Sequence, residues 1–145
     1  MKIVLIFPRA DPQRGTKVKN YMVPPYSLQL LAARTSPQHE VVLLDQFHRP
    51  IDTRLKADLV GISAWTASSG NAYRLADAFR ARGIPVVLGG PHVAVLPEEA
   101  ARHADAILVG EAESVWARLL SDVEAGRLAT RYMGKPLPLS ETLPA

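Results

Sequence analysis

Leu59-Val60-Gly61-Ile62-Ser63 is a short apolar run without polar alternation, and Ala64-Trp65-Thr66 breaks it. Such a run fits a strand that is covered on both faces of a sheet. Working outward, four more short apolar runs recur, Lys2–Phe7, Glu40–Leu44, Pro85–Leu88 and Ala106–Val109, and four of the five are rich in Val, Ile and Leu without alternation. Helical patterns lie between them. Leu28, Leu31 and Ala32 follow Pro24-Pro25, and Ala72, Leu75, Ala76 and Phe79 fall at i, i+3, i+4 and i+7 before a stop at Gly83. Trp116, Leu119, Leu120 and Val123 repeat that spacing and end at Gly126. Pro50–Lys56 and Pro97–His103 read as short helices. Alternating strand and helix requires right-handed crossovers and a parallel sheet covered on both sides. The expectation is an α/β, Rossmann-like, flavodoxin-type three-layer fold with a five-stranded parallel sheet in the order 2-1-3-4-5. Ligands of such sheets bind at the carboxyl ends of the strands. Attention therefore falls on the loops Pro8–Pro25, Ala64–Asn71, Gly89–Leu96 and Gly110–Glu113.

The chain has 145 residues, 48% of them hydrophobic and 21% charged, enough for one domain with a core of its own. Residues 1–126 carry the strand and helix pattern. Residues 127–145 carry Pro136, Pro138 and Pro144 with little periodicity, and read as a linker or tail. Without cysteine, the chain cannot build a disulfide scaffold, a thiolate zinc site, an iron–sulfur cluster or a thiol nucleophile. No apolar run reaches the ~20 residues that span a bilayer, and the first apolar run is too short for a signal peptide, so a cytoplasmic domain with no membrane partner is expected. The net charge of +3 is mild. Arg9, Arg14, Lys17 and Lys19 form the one basic run, but no aromatic residues interleave with it, so a solvated loop is expected and no nucleic acid.

The loops exclude several uses of this fold. A dinucleotide fingerprint or a phosphate-binding Walker loop needs clustered glycines after the first strand, and Pro8 to Gly15 holds one glycine. A phospho-acceptor receiver needs aspartate and lysine at the ends of the third and fifth strands, where Ser63 and Gly110 stand. A hydrolase could enlist Ser63, His92 and Glu111, though nothing around Ser63 reads as a nucleophile elbow. His39, His48, His92 and His103 match no metal-ligand spacing. Two features remain, Ser63-Ala64-Trp65-Thr66 after the third strand and Gly89-Gly90-Pro91-His92 after the fourth. Paired glycines remove side chains where another group must approach the backbone, and a hydroxyl on the neighbouring strand end can bond a ring nitrogen there. Each feature has a plainer account, a tight turn or a helix cap. Together, on adjacent strands, they point to a pocket for a flat ring.

Ser63-x-x-Thr66, 22 further residues and then Gly89-Gly90 resembles two signatures of cobalamin-binding domains. The wider text, through Pro91-His92 to Val109-Gly-Glu-Ala-Glu113, looks like the N-terminal domain of cobalamin-dependent radical SAM enzymes, as do Pro24-Pro25-Tyr26 and the tail Leu139–Pro144. The resemblance implies a cofactor site in which Ser63 hydrogen-bonds the dimethylbenzimidazole and Thr66 holds the tail or caps the next helix. Gly89 and Gly90 would let the base pass, and Pro91 and His92 after them would also belong to the cofactor-binding set. Gly110 and Glu111 would line the far wall, and Trp65 would pack against the ligand or join the core. The implied cofactor is cobalamin, as methylcobalamin or hydroxocobalamin, bound base-off. The implied partner is a radical SAM catalytic domain, in cis or trans, that would hold the S-adenosylmethionine and the iron–sulfur cluster. The chain alone would then be non-catalytic, part of a methyltransferase or cyclase-like parent. Asp11-Pro12-Gln13-Arg14-Gly15-Thr16 departs from the Asp-x-His-x-x-Gly signature of related domains, so no residue here is expected to ligate cobalt. An interaction module, or a nucleotide or flavin domain of the same fold, remains open on the residues alone.

Overall fold

The structure, a computed structural model, describes residues 1–10, 24–138 and 140. The first-strand loop with Asp11, Gln13 and three of the four clustered cations lies outside those residues, as does most of the tail from Leu139.

Strands β1 (Lys2–Phe7), β2 (Glu40–Asp45), β3 (Leu59–Ser63), β4 (Val86–Gly89) and β5 (Ala106–Val109) form at the apolar runs. Helices α1 (Tyr26–Ala33), α2 (Ser69–Arg80) and α5 (Trp116–Glu124) form at the periodic segments, with α3 (Pro91–Val95) and α4 (Pro97–Ala100) between β4 and β5. All strand pairs are parallel. The order is β2-β1-β3-β4-β5-β6, so the predicted arrangement stands with one strand, β6 (Arg131–Met133), added at its edge.

The sheet is covered on both sides because its central strands are apolar at successive positions. Val4, Ile6, Val60, Ile62, Val86, Leu88 and Ile107 face α2, α3 and α4, where Ala72, Ala76, Phe79 and Val93 meet them. Ile3, Leu5, Leu59, Val87, Ala106 and Leu108 face α1 and α5, against Leu28, Leu31, Trp116, Leu119 and Leu120.

Two local expectations are corrected. Residues 50–56 form no helix but a turn at Thr53-Arg54. Asp52 there accepts the Arg54 backbone N–H at 2.9 Å and its guanidinium at 3.0 Å, and those hydrogen bonds hold the carboxyl below its ordinary range. The segment expected to be linker contains β6 (Arg131–Met133), which pairs in parallel with β5. Only Tyr132 of its three residues is buried. Its ring packs in the α1/α5 layer, its hydroxyl donates to Asp122 Oδ2 at 2.8 Å, and it accepts the Ala129 N–H at 3.0 Å. Burial holds the phenol above its ordinary pKa. Tyr132→Ala should therefore lower the unfolding free energy by about 3 kcal/mol, read from the urea midpoint. An unchanged midpoint would mean that β6 is not part of the cooperative unit.

Candidate functional site

Side chains alternate across a strand, so the residues facing α1 and α5 can be followed along each strand toward its carboxyl end. On β3 they run from Leu59 through Gly61 to Ser63, and on β4 from Val87 to Gly89. On β5 they pass Leu108 to Gly110. The face therefore loses its side chains where the strands end. In the same register, Ser63 lies opposite Gly89. The α2-facing residues Ile62 and Leu88 keep their bulk.

The result is a cavity of about 250 Å³ between the sheet and the two helices. Of the residues named from the sequence, Ser63, Gly89, Gly90, Gly110 and Glu111 line it. Sequence reasoning missed the other walls: Leu5 and Gly61 in the floor, Ser27, Leu28 and Leu31 on α1, and Trp116 on α5. The signal was present in the alternate small residues at 61, 63 and 89. Leu28, Leu31 and Trp116 were legible only as helix core. The cavity is smaller than the ~300–1,000 Å³ of whole-ligand pockets, which fits a bicyclic ring and not a corrin macrocycle.

The glycines are required for different reasons. Gly90 has φ +101°, and a Cβ there would lie 2.6 Å from Ala64 O. That turn is drawn tight because Ala64 N–H donates to Gly89 O at 2.7 Å and His92 N–H donates to Ala64 O at 3.1 Å. Gly110 has φ +88°, and its Cβ would overlap the carbonyl of Gly134. Both are glycines that the backbone itself demands. Gly89 differs, because a Cβ there would meet Leu108 at an ordinary 3.6 Å. Among the described residues nothing forbids a side chain at Gly89, and the space its absence leaves is part of the cavity. The residues present thus fit a flat aromatic group entering from the strand ends.

Four of the expected site residues lie elsewhere. Trp65 packs over Phe7 with the rings parallel at 6.5 Å, and its Nε1–H donates to Pro8 O at 3.3 Å. Pro91 is exposed at the first turn of α3 and does not line the cavity. Thr66 and His92 belong to the opposite face. His92 is 5% exposed. Its Nδ1 is 3.3 Å from Thr66 Oγ1 and its Nε2 is 3.2 Å from Glu99 Oε1. A carboxylate only accepts, so Nε2–H donates to Glu99, while Nδ1 and the Thr66 hydroxyl share the other hydrogen bond. Tyr73 O–H donates to the same Glu99 oxygen at 3.0 Å. The physical cause of the displacement is the turn at Gly90, which carries the chain around the strand end and sends the His92 ring back over the α2 side. Ser63, His92 and Glu111 are consequently not brought together as a hydrolytic triad.

Residues 16–120 match the sequence profile described as the B12 binding domain. The chain belongs to that family. It is 48% identical to bacteriochlorophyllide d C-8(2)-methyltransferase of Chlorobaculum tepidum over 77% of this chain and 25% of that protein. It is 34% identical to bacteriochlorophyllide d C-12(1)-methyltransferase of the same organism, over 82% of this chain and 26% of that protein. An uncharacterised methyltransferase of Pyrococcus horikoshii is 29% identical over 92% of this chain and 32% of that protein. The chain thus spans a quarter to a third of the relatives it matches. Among the described residues, no helix is long and apolar enough to cross a membrane.

Two outcomes follow from this geometry. Gly90→Ala should lower stability by about 2 kcal/mol, whereas Gly89→Ala should leave the thermal midpoint within a degree or two; equal effects would contradict the division of roles. Hydrogen bonds from His92 and then Tyr73 hold the Glu99 carboxyl below its ordinary value of 4.5. Its stabilising contribution is therefore complete above that value and is lost as the pH falls through the lowered one. Glu99→Gln should remove that part of the acid dependence, measured as the slope of thermal midpoint against pH between about 5 and 3.

Proposed function

We propose that this chain is a cobalamin-binding module that works in the cytoplasm. It takes the base of the nucleotide tail into the slot between the sheet and helices α1 and α5. The corrin lies base-off over the carboxyl edge of the sheet, facing a radical SAM catalytic domain in cis or trans. The observation that carries this reading is the clearing of side chains at Gly61, Ser63 and Gly89 in a chain of the B12-binding family. The similarity to two bacteriochlorophyllide d methyltransferases supports methyl transfer or related radical chemistry as the purpose of the assembly.

On this reading each residue has a bounded task. The Ser63 hydroxyl meets a ring nitrogen at the slot mouth. Gly89 leaves the backbone of β4 open to the face of the ring. Leu28 and Leu31 of α1 and Trp116 of α5 cover the other face and exclude water. Gly110 and Glu111 form the outer wall. When bound, cobalamin, as methylcobalamin or hydroxocobalamin, supplies a methyl-carrying cobalt centre. The chain holds and orients that cofactor and contributes no acid–base pair of its own. With no cysteine in the sequence, the S-adenosylmethionine and iron–sulfur chemistry belong to the catalytic domain.

The test is to mix the full chain with hydroxocobalamin, desalt it, and record cobalt content with the visible spectrum. Near-stoichiometric cobalt with a base-off spectrum is the expected outcome. A folded sample that retains no cobalt would overturn the reading and favour an interaction module. Gly89→Leu should extend a side chain into the slot and reduce retained cobalt at least ten-fold with an unchanged circular dichroism spectrum. Normal retention would place the tail elsewhere.

A further inference from the structure

We infer that the slot selects among corrinoids by the base on their nucleotide tail, accepting benzimidazole-type bases and disfavouring purines. The inference rests on the slot reading above and specifies which ligand class that slot takes.

The chemistry of the slot changes with depth. At its inner end Leu5, Leu31, Val87, Leu108 and Trp116 close around Gly61, and all five side chains are more than nine-tenths buried. The one polar atom among these side chains is the Trp116 indole nitrogen, and its N–H donates to Thr35 Oγ1 at 2.9 Å. That hydroxyl in turn donates to Leu31 O at 2.7 Å. The indole and its partner are thus satisfied by the protein itself. The strand backbone at this depth is committed to the parallel ladder, with Gly61 opposite Val87. Nothing on these walls is left to hydrogen-bond a ligand.

Among the described residues that line the slot, the other polar side chains are those of Ser63, Ser27, Glu111 and Glu113, nearer the mouth. Glu111 Oε2 already accepts the Leu137 N–H at 2.9 Å. Among the described residues, none hydrogen-bonds the Ser63 hydroxyl. It stands beside Gly90, where an added Cβ would come within 3.0 Å of its oxygen.

This gradient matches one bicyclic base and opposes another. A benzimidazole carries its free ring nitrogen on the five-membered ring and presents a hydrocarbon edge, methylated or not, at the far end. Its nitrogen stays with Ser63 while its carbocycle enters the Leu31, Leu108 and Trp116 enclosure. A purine of the same shape carries ring nitrogens and an exocyclic amine or carbonyl on the six-membered ring. Those groups would leave water for an enclosure that offers them no partner, which is the costly case for a buried polar group.

The test measures binding of three probes to the full chain: hydroxocobalamin, its counterpart with adenine as the lower base, and cobinamide, which has no nucleotide. The adenine counterpart should bind at least ten-fold more weakly than hydroxocobalamin, and cobinamide should also bind more weakly. Equal binding of both base-bearing probes, with cobinamide weaker, would overturn the selectivity and leave the slot reading intact. Equal binding of all three, or of none, would overturn the slot reading and the selectivity with it. Val87→Thr keeps the shape of the inner wall and adds a hydroxyl there. It should narrow the gap between the two base-bearing probes several-fold; an unchanged gap would mean that the inner wall is not what selects.

Discussion

The ends of β3, β4 and β5 carry almost no side chains on the face toward α1 and α5, and the rest of the structure is arranged around that deficit. A parallel sheet is normally filled on both faces, because each uncovered apolar position forfeits burial of about 25 cal/mol per Å². Here Ile62 and Leu88 keep the α2 side dense, while Gly61, Ser63 and Gly89 empty the other. The helices do not collapse into the gap. Leu28, Leu31 and Trp116 hold α1 and α5 off the strand ends by packing on Ile3, Leu5, Val87 and Leu108 deeper in the layer. Apolar walls are thus left standing around a space that a flat ring can fill.

The same strand ends are held from behind by polar contacts. Pairing between β3 and β4 continues past the last strand residues through Ala64, which bonds Gly89 and His92 by its N–H and C=O. That continuation forces the left-handed turn at Gly90 and carries the His92 ring to the α2 side. There His92 ties Thr66, before α2, to Glu99 on α4. Tyr73 joins from α2 and stacks on His103 at 4.3 Å, while His103 Nδ1 lies 2.9 Å from Asp77 Oδ2. The empty face owes its fixed floor to this bonded one.

How much of this was legible follows from which residues carry long-range information in their own pattern. The five longer strands and their order were readable because buried parallel strands announce themselves as unbroken apolar runs. Strand β6 was not, since Arg131-Tyr132-Met133 buries one side chain and so lacks a run. The slot's floor was half visible: Ser63, Gly89 and Gly110 could be placed by strand ends, but Gly61 looked like any small residue within a strand. Its added Cβ would press on Leu5 at 2.9 Å, a contact that exists only once β1 and β3 are side by side. His92 and Thr66 lie outside the cavity for a related reason. Adjacency to Gly90 and Ser63 in sequence does not survive a turn that sends successive side chains to opposite faces.

The stretch read from sequence as a departing tail is bound to the slot's outer wall. A Cβ on Gly110 would overlap the Gly134 carbonyl and one on Gly134 would overlap the Glu111 backbone, and Gly134 N–H donates to Val109 O at 2.7 Å. Beyond them Lys135 N–H donates to Ser114 Oγ at 2.8 Å and Leu137 N–H to Glu111 Oε2 at 2.9 Å. Glu111 therefore lines the cavity and grips the chain with the same carboxylate. Because these bonds tie residues 134–137 to the turn after β5, a displacement of that turn by a bound ring must move them or break the bonds. Residues 134–137 and the turn that forms the outer wall of the cavity are consequently held together as one piece.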